Sequence, residues 1–207
     1  MGNKCRIFNK SVVVYIDGLP YLVQLPISEY SWSAYQEWDP IIYFLDGNNG
    51  IFHWKGVASW CQGRDPLKTQ LHICRGSTLY GVGRENVLAD VRRKDIGFRP
   101  VLTPLNPKTL DPDINAWSGI KDGDRLFLGT LYMDGFAISA RESLCKQWTP
   151  TEYRVNAKLE IGDSHPEPEK QICFIKFKGK LWADRNLLVM ISWNDLCTQK
   201  FFNCPSE

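Results

Sequence analysis

The chain has 207 residues, 43% of them hydrophobic, and a formal net charge of +2. That length buries one full core or two small ones without disulfide or metal staples, and so mild a charge excludes the strongly basic face that bulk nucleic-acid binding requires. No apolar run reaches the ~18 residues of a membrane span, and no apolar signal-like region follows Met1, so a soluble, unsecreted protein with no membrane partner is expected.

Seven cysteines are an odd number, and the chain holds no Cys-x-x-Cys or His-x-x-x-His pair. Free buried thiols in a reducing compartment are therefore expected rather than a disulfide framework, and no metal or other cofactor is expected. Eight tryptophans are the compositional outlier. Each ring covers a large area and its N–H needs one acceptor, which suits a compact, irregular β-containing core.

In chain order, Val12 to Tyr15 are strand formers ahead of an Asp17-Gly18-Leu19-Pro20 turn, and Tyr21 to Pro26 supplies the return strand of a hairpin. Ser28 and Ser31 suit helix starts, and Trp32, Tyr35 and Trp38 recur at helical spacing until Pro40 interrupts them. This predicts a short amphipathic helix that resumes as far as Leu45. Phe52, Trp54, Val57 and Trp60 then stand among polar residues and predict a short strand pair, with a turn at Gly63, Asp65 and Pro66. Leu71 and Ile73 form the next strand, which exits at Arg75-Gly76-Ser77.

Residues 78–94 contain Gly81, Gly83 and alternating charges, which predict a surface excursion. Ile96 to Leu102 reads as a buried strand with Arg99 pointing away from Phe98. Clustered Pro and Asp place a boundary near residue 105. Beyond it, strands are predicted over 125–132, 136–139, 153–161, 171–177 and 187–193, with a hairpin turn at Asp134-Gly135, one or two helical turns over 141–148, and a turn at Lys178-Gly179-Lys180.

The order of a Trp-rich segment, Arg75-Gly76-Ser77, a basic loop and Gly97-Phe98-Arg99 resembles the formylglycine-generating-enzyme or sulfatase-modifying-factor domain, of the broad C-type-lectin fold. Glu37-Trp38-Asp39, Trp54 to Gly56, Ser59 to Gln62, Cys74 to Gly76 and Gly97 to Leu102 look more closely like a set of uncharacterised phage and prophage proteins of Gram-positive bacteria. The likeness covers roughly residues 28–107. It implies an α+β fold, with a C-type-lectin-like, loop-rich first half (1–104) and a smaller β-rich second half (105–207).

Gly76 and Gly97 would then allow close turns, the Trp residues and Phe98 would fill the core, and Arg75 with Arg99 would bind carbonyls or carboxylates. Both arginines suit the stapling of loops better than ligand contact, and Trp54 and Trp60 suit the core better than a ligand platform. The enzyme of the resembled family uses a close cysteine pair just before its Gly-Phe-Arg strand; here no cysteine lies between Cys74 and Gly97. Cys61 and Cys74 across adjacent strands, flanked by His53 and His72, are the remaining Cys/His option.

A non-catalytic binding protein is therefore expected, with Tyr80, Arg84, Arg92, Arg93 and Lys94 on the excursion, and Trp54, Trp60 and Arg75 beside it, as the ligand-binding residues. The partner would be a host protein or an anionic small molecule such as a nucleotide signal, captured in the host cytoplasm to block anti-phage defence. Host-surface recognition, a structural virion protein, a homo-oligomer, an oxidase related to the formylglycine-generating family, and a hydrolase whose Asp134, Asp163, His165 or Asp184 converge in a cleft stay open as alternatives.

Overall fold

The computed structural model describes residues 6–8, 11–26, 58–65, 68–78, 81–138, 146–147 and 158–202. Its first strands are β1 (Arg6–Phe8), β2 (Ser11–Ile16), β3 (Leu19–Gln24), β4 (Ala58–Asp65), β5 (Lys68–Thr78), β6 (Gly81–Leu88), β7 (Ile96–Phe98) and β8 (Val101–Pro104). Then follow β9 (Arg125–Phe127), β10 (Thr130–Met133), β11 (Phe136–Ala137), β12 (Lys146–Gln147), β13 (Leu159–Gly162), β14 (Cys173–Phe177), β15 (Lys180–Ala183), β16 (Leu188–Val189) and the helix α1 (Trp193–Thr198). The described chain is thus mostly β-sheet, with one short α-helix, and among the described residues no helix is long and apolar enough to cross a membrane.

A seven-stranded sheet runs β1-β2-β3-β8-β15-β14-β9, antiparallel throughout. A six-stranded sheet runs β12-β16-β7-β4-β5-β6, with β12/β16 and β7/β4 parallel. The third sheet is β11-β10-β13. Strands from both sides of residue 105 share the two larger sheets, and one hydrophobic core runs from Val14 to Phe202.

Three hairpins turn on the same device. Asp17-Gly18, Asp134-Gly135 and Lys178-Gly179 each hold both central residues at positive φ (48° and 80°, 51° and 82°, 46° and 72°). This is the backbone of a type I′ turn, whose twist matches that of the flanking strands. The Val12-Val13-Val14 run supplies the β-branched side chains that favour β2.

The expected strand over 96–102 is two strands in two different sheets. Pro100 has no N–H to give a ladder, and the chain bends at Arg99-Pro100. β7 stays in the six-stranded sheet while β8 enters the seven-stranded one. The segment 180–189 makes the same passage alongside, β15 pairing with β8 and β16 with β7. At the crossing, the Ala183 N–H donates to Pro100 O at 3.0 Å, the Leu187 N–H to Phe98 O at 2.8 Å, and Arg99 Nη1 to Ala183 O at 3.1 Å. Arg99 is 1% exposed, as deeply placed as Phe98, so the chain is covered on both sides at the bend.

The main core lies where the sheets meet. Ile16, Tyr21, Leu102, Phe174 and Leu181 come from the seven-stranded sheet, Trp60, Cys74, Ile96 and Phe98 from the six-stranded one, Leu131 and Ile161 from the third, and Trp193 and Leu196 from α1. A second cluster, Cys61, Ile73, Ile175 and Phe177 with Trp182 against it, uses the opposite faces of β4, β5, β14 and β15. The turn at Asp17 is tied to the end of β13. The Asp17 N–H donates to Asp163 Oδ1 at 2.8 Å, and the Ser164 hydroxyl donates to Asp17 Oδ2 at 2.9 Å.

Several segments differ from what the sequence predicts. Most of the excursion over 78–94 is a strand, β6, paired with β5 from Leu71↔Leu88 to Thr78↔Gly81. β4 continues through Gly63 to Asp65, where a turn was expected, and Asp65 pairs with Lys68. The strand predicted over 125–132 breaks at Gly129 (φ +68°), which packs against Ile16. Trp193 opens α1 instead of closing a strand, and Lys146-Gln147 are strand rather than helical turn. The helix expected over 28–45 lies outside the described residues.

Candidate binding surface

Of the binding residues expected from the sequence, Arg92, Arg93 and Lys94 sit on the turn over 89–95, between the end of β6 and α1. Ser192 caps α1: its hydroxyl accepts from the Asp195 N–H at 3.0 Å, and the Ser192 N–H donates to Asp195 Oδ2 at 2.9 Å, a reciprocal capping box. Arg92 grips the same carboxylate with two bonds, Nε at 2.7 Å and Nη2 at 2.6 Å. Burial pushes the Asp195 carboxyl up, but the bonds from Arg92 and Ser192 outweigh it and hold the group below its ordinary value.

Arg93 is also committed. It chelates Asp95, with Nε at 2.8 Å and Nη2 at 2.5 Å, and bonds Glu85 on β6 through Nη1. The Arg93 bonds depress the Asp95 carboxyl in turn. Met190 and Asn194 lock the turn from below, their N–H groups donating to Arg93 O and Ala89 O at 3.0 Å each. Lys94 is exposed. Glu85, Asp90, Asp95 and Asp195 outnumber Arg92, Arg93 and Lys94, so this turn and its partners form a charge-balanced surface rather than an anion funnel.

Trp60 is not a ligand platform. It is wholly buried, its Nε1–H donates to Ile191 O at 2.7 Å, and its ring meets Trp193 edge-on with centroids 6.2 Å apart. Arg75 and Arg84 are cross-strand partners in the β5–β6 ladder, with side chains outside the described part. Trp54, Tyr80 and His53 lie outside the described residues. No protein-family model, curated protein or solved structure matches this chain. Its function is therefore read from its own geometry.

Cys61 and Cys74 do not form a reactive pair. Cys74 sits opposite Trp60 and belongs to the main core, while Cys61 belongs to the second cluster, on the other face. Burial, before any nearby charge, raises the Cys74 thiol far above its ordinary value, and burial likewise pushes Cys173 up to about 12. Both are neutral at physiological pH. Cys61, Cys74 and Cys173 are free, whereas Cys197 is disulfide-bonded, so the expectation of free thiols holds for only part of the set. His72 is buried and stacks on Trp193 at 4.0 Å.

Asp134, Asp163, His165 and Asp184 do not converge. Asp134 accepts from the Lys158 N–H at the mouth of β10–β13, Asp163 from the Asp17 N–H, and His165 Nδ1 from the Glu167 N–H. Asp184 is buried beneath Arg185, which chelates it with two bonds of 2.9 Å. Sequence reasoning missed Asn186, which is buried at the crossing of the two sheets. Its Oδ1 accepts from the Ser59 hydroxyl at 2.5 Å and its Nδ2 donates to Ala58 O at 2.9 Å. It also missed Asp195, for which the capping spacing Ser192-x-x-Asp195 was the available signal.

Proposed function

We propose that this chain is a non-catalytic binding protein of the phage type, on a C-type-lectin-like scaffold, that captures a host protein to block anti-phage defence. The observation that carries this reading is the state of Arg92 and Arg93. Their side chains reach solvent, at 42% and 37% exposure, yet each is held by carboxylates of the same chain. Arginines fixed in this way lose little freedom on contact with a protein surface and offer no uncompensated charge to a free anion. Beside them Leu88 is 46% exposed and Lys94 reaches solvent, a mixture of apolar and cationic groups that suits a protein interface. A host protein fits this surface better than a nucleotide signal does. The separate structural contacts of Asp134, Asp163, His165 and Asp184 support binding over hydrolysis. The scaffold reading rests on the resemblance, whose Cys74-Arg75-Gly76 and Gly97-Phe98-Arg99 motifs lie on or beside β5 and β7, the two strands that flank β4.

The test uses Lys94→Glu and Leu88→Asp, two exposed positions where a charge leaves folding intact. Immobilised protein captures its partner from a Gram-positive host lysate, and the purified partner is then titrated against wild type and both variants. Weakening by about tenfold, about 1.4 kcal/mol, in either variant supports the proposal. Wild-type affinity in both overturns it.

A further inference from the structure

A cavity of about 420 Å³ lies between β9 and the segment that leads into it. In that segment the N–H groups of Ala116, Ser118 and Ile120 donate to the carbonyls of Asp113, Asn115 and Trp117 at 3.2, 3.0 and 2.9 Å. Bonds of this spacing wind the chain at three residues per turn, which sets Trp117 and Ile120 on one face. Trp117 and Leu126 pack against the main core and Leu128 belongs to it, so the floor of the cavity is apolar. Ile120 and Phe127, the latter 38% exposed, extend the apolar lining. Asp124 and Arg125, both exposed, add one carboxylate and one guanidinium.

The shape is set before a ligand arrives. The Gly123 N–H donates to Lys176 O at 2.8 Å and the Lys176 N–H to Asp124 O at 3.1 Å. The Lys176 ammonium donates to Ile120 O at 2.6 Å and lies 3.3 Å from Asp122 Oδ1, while the Lys178 N–H donates to Asp122 Oδ2 at 3.2 Å. The loop over 120–124 is thus fastened along β14, and a preformed site loses little freedom on binding.

The charges are also held in place. Asp124 Oδ2 accepts from the Lys121 N–H at 2.9 Å. The Arg125 side chain keeps 43% of its surface in solvent, with Nη1 3.8 Å from Asp184 Oδ2. Beside them the Trp117 Nε1–H is buried and has no acceptor among the described residues. A buried donor left unmet is costly, and an entering carboxylate oxygen satisfies it after a small turn of the ring.

We propose that this cavity binds a small aromatic zwitterion, a free aromatic amino acid. The ring fills the space beside Trp117, Ile120 and Phe127, the carboxylate faces Arg125 and the Trp117 N–H, and the ammonium faces Asp124. A ligand with a single charge meets one of the two charged groups and is repelled by the other, whereas the zwitterion complements both.

The test titrates the full chain with L-phenylalanine to about 20 mM, a range that covers millimolar affinity, and follows heat and the assigned Trp117 indole N–H resonance. Saturable binding is expected, with that resonance moving downfield as its donor gains an acceptor. Phenethylamine and 3-phenylpropanoate, each lacking one of the two charges, should bind at least about fivefold more weakly. Asp124→Asn, which keeps an oxygen for the Lys121 N–H, and Arg125→Gln should each weaken L-phenylalanine by a similar factor at an unchanged unfolding midpoint. Absence of saturable binding, an unmoved Trp117 resonance, single-charge analogues that bind as tightly as the amino acid, or wild-type affinity in both variants overturns the proposal.

Discussion

Gly97 lies so close to Asn186 that a Cβ at Gly97 would stand 2.7 Å from the Asn186 Nδ2 and 2.2 Å from the carbonyl oxygen of Leu188. The glycine is needed for space, since its neighbours are the backbone of β16 and, just ahead of that strand, the buried Asn186 amide that already serves Ser59 and Ala58. Gly97→Ala is therefore expected to cost at least about 2 kcal/mol, read as a lower urea midpoint with an unchanged slope.

A smaller loss is expected at Trp60. Trp60→Phe keeps most of the apolar contact but leaves the Ile191 carbonyl without its donor in a buried setting. An unsatisfied buried acceptor costs about 1–3 kcal/mol, to be measured by denaturant unfolding.

Acid should weaken the fold through Asp195. Its folded-state pKa lies below the unfolded value, so its contribution is complete above about pH 4 and is lost as the pH falls through the folded value. Asp95 acts in the same direction. Unfolding midpoints followed between pH 6 and about pH 3 should fall for wild type and fall less steeply for Asp195→Asn. At constant pH, Ser192→Ala should cost about 1 kcal/mol by removing the cap of α1.

The free thiols should be silent in the native state. Burial holds Cys74 and Cys173 protonated, and only the thiolate attacks a disulfide reagent. Ellman's reagent, with the modified peptides mapped by mass spectrometry, should therefore react slowly at Cys74 and Cys173 in the native protein and rapidly there after denaturation in guanidinium. Fast native reaction at Cys74 or Cys173 would contradict their buried placement.

The sequence disclosed the features that depend on local chemistry. Asp17-Gly18, Asp134-Gly135 and Lys178-Gly179 announce their turns because an X-Gly step between alternating strands has one comfortable backbone solution. Phe98 reads correctly as a core residue, whereas Gly97, expected to allow a close turn, lies inside β7 and is needed for space beside the Leu188 carbonyl and Asn186. The failures are tertiary. Gly81 and Gly83 look like loop punctuation, yet β6 has a long partner in β5 that overrides local propensity. The single strand expected over 96–102 divides because Pro100 bends the chain between sheets. Arg92 reads as a free cation because its carboxylate, Asp195, lies 103 residues away, and no spacing rule reaches that far.

The paired passage of 96–104 and 180–189 from one sheet to the other has a consequence for how the molecule is made. β3 and β8 can meet early, but β8 finds β15, and β7 finds β16, only once residues 180–189 have left the ribosome. Contacts so distant along the chain make assembly slow and leave the early strands unpaired while synthesis proceeds. Chains stalled before residue 180 should therefore gather on chaperones or aggregate, however well their N-terminal hairpin has formed.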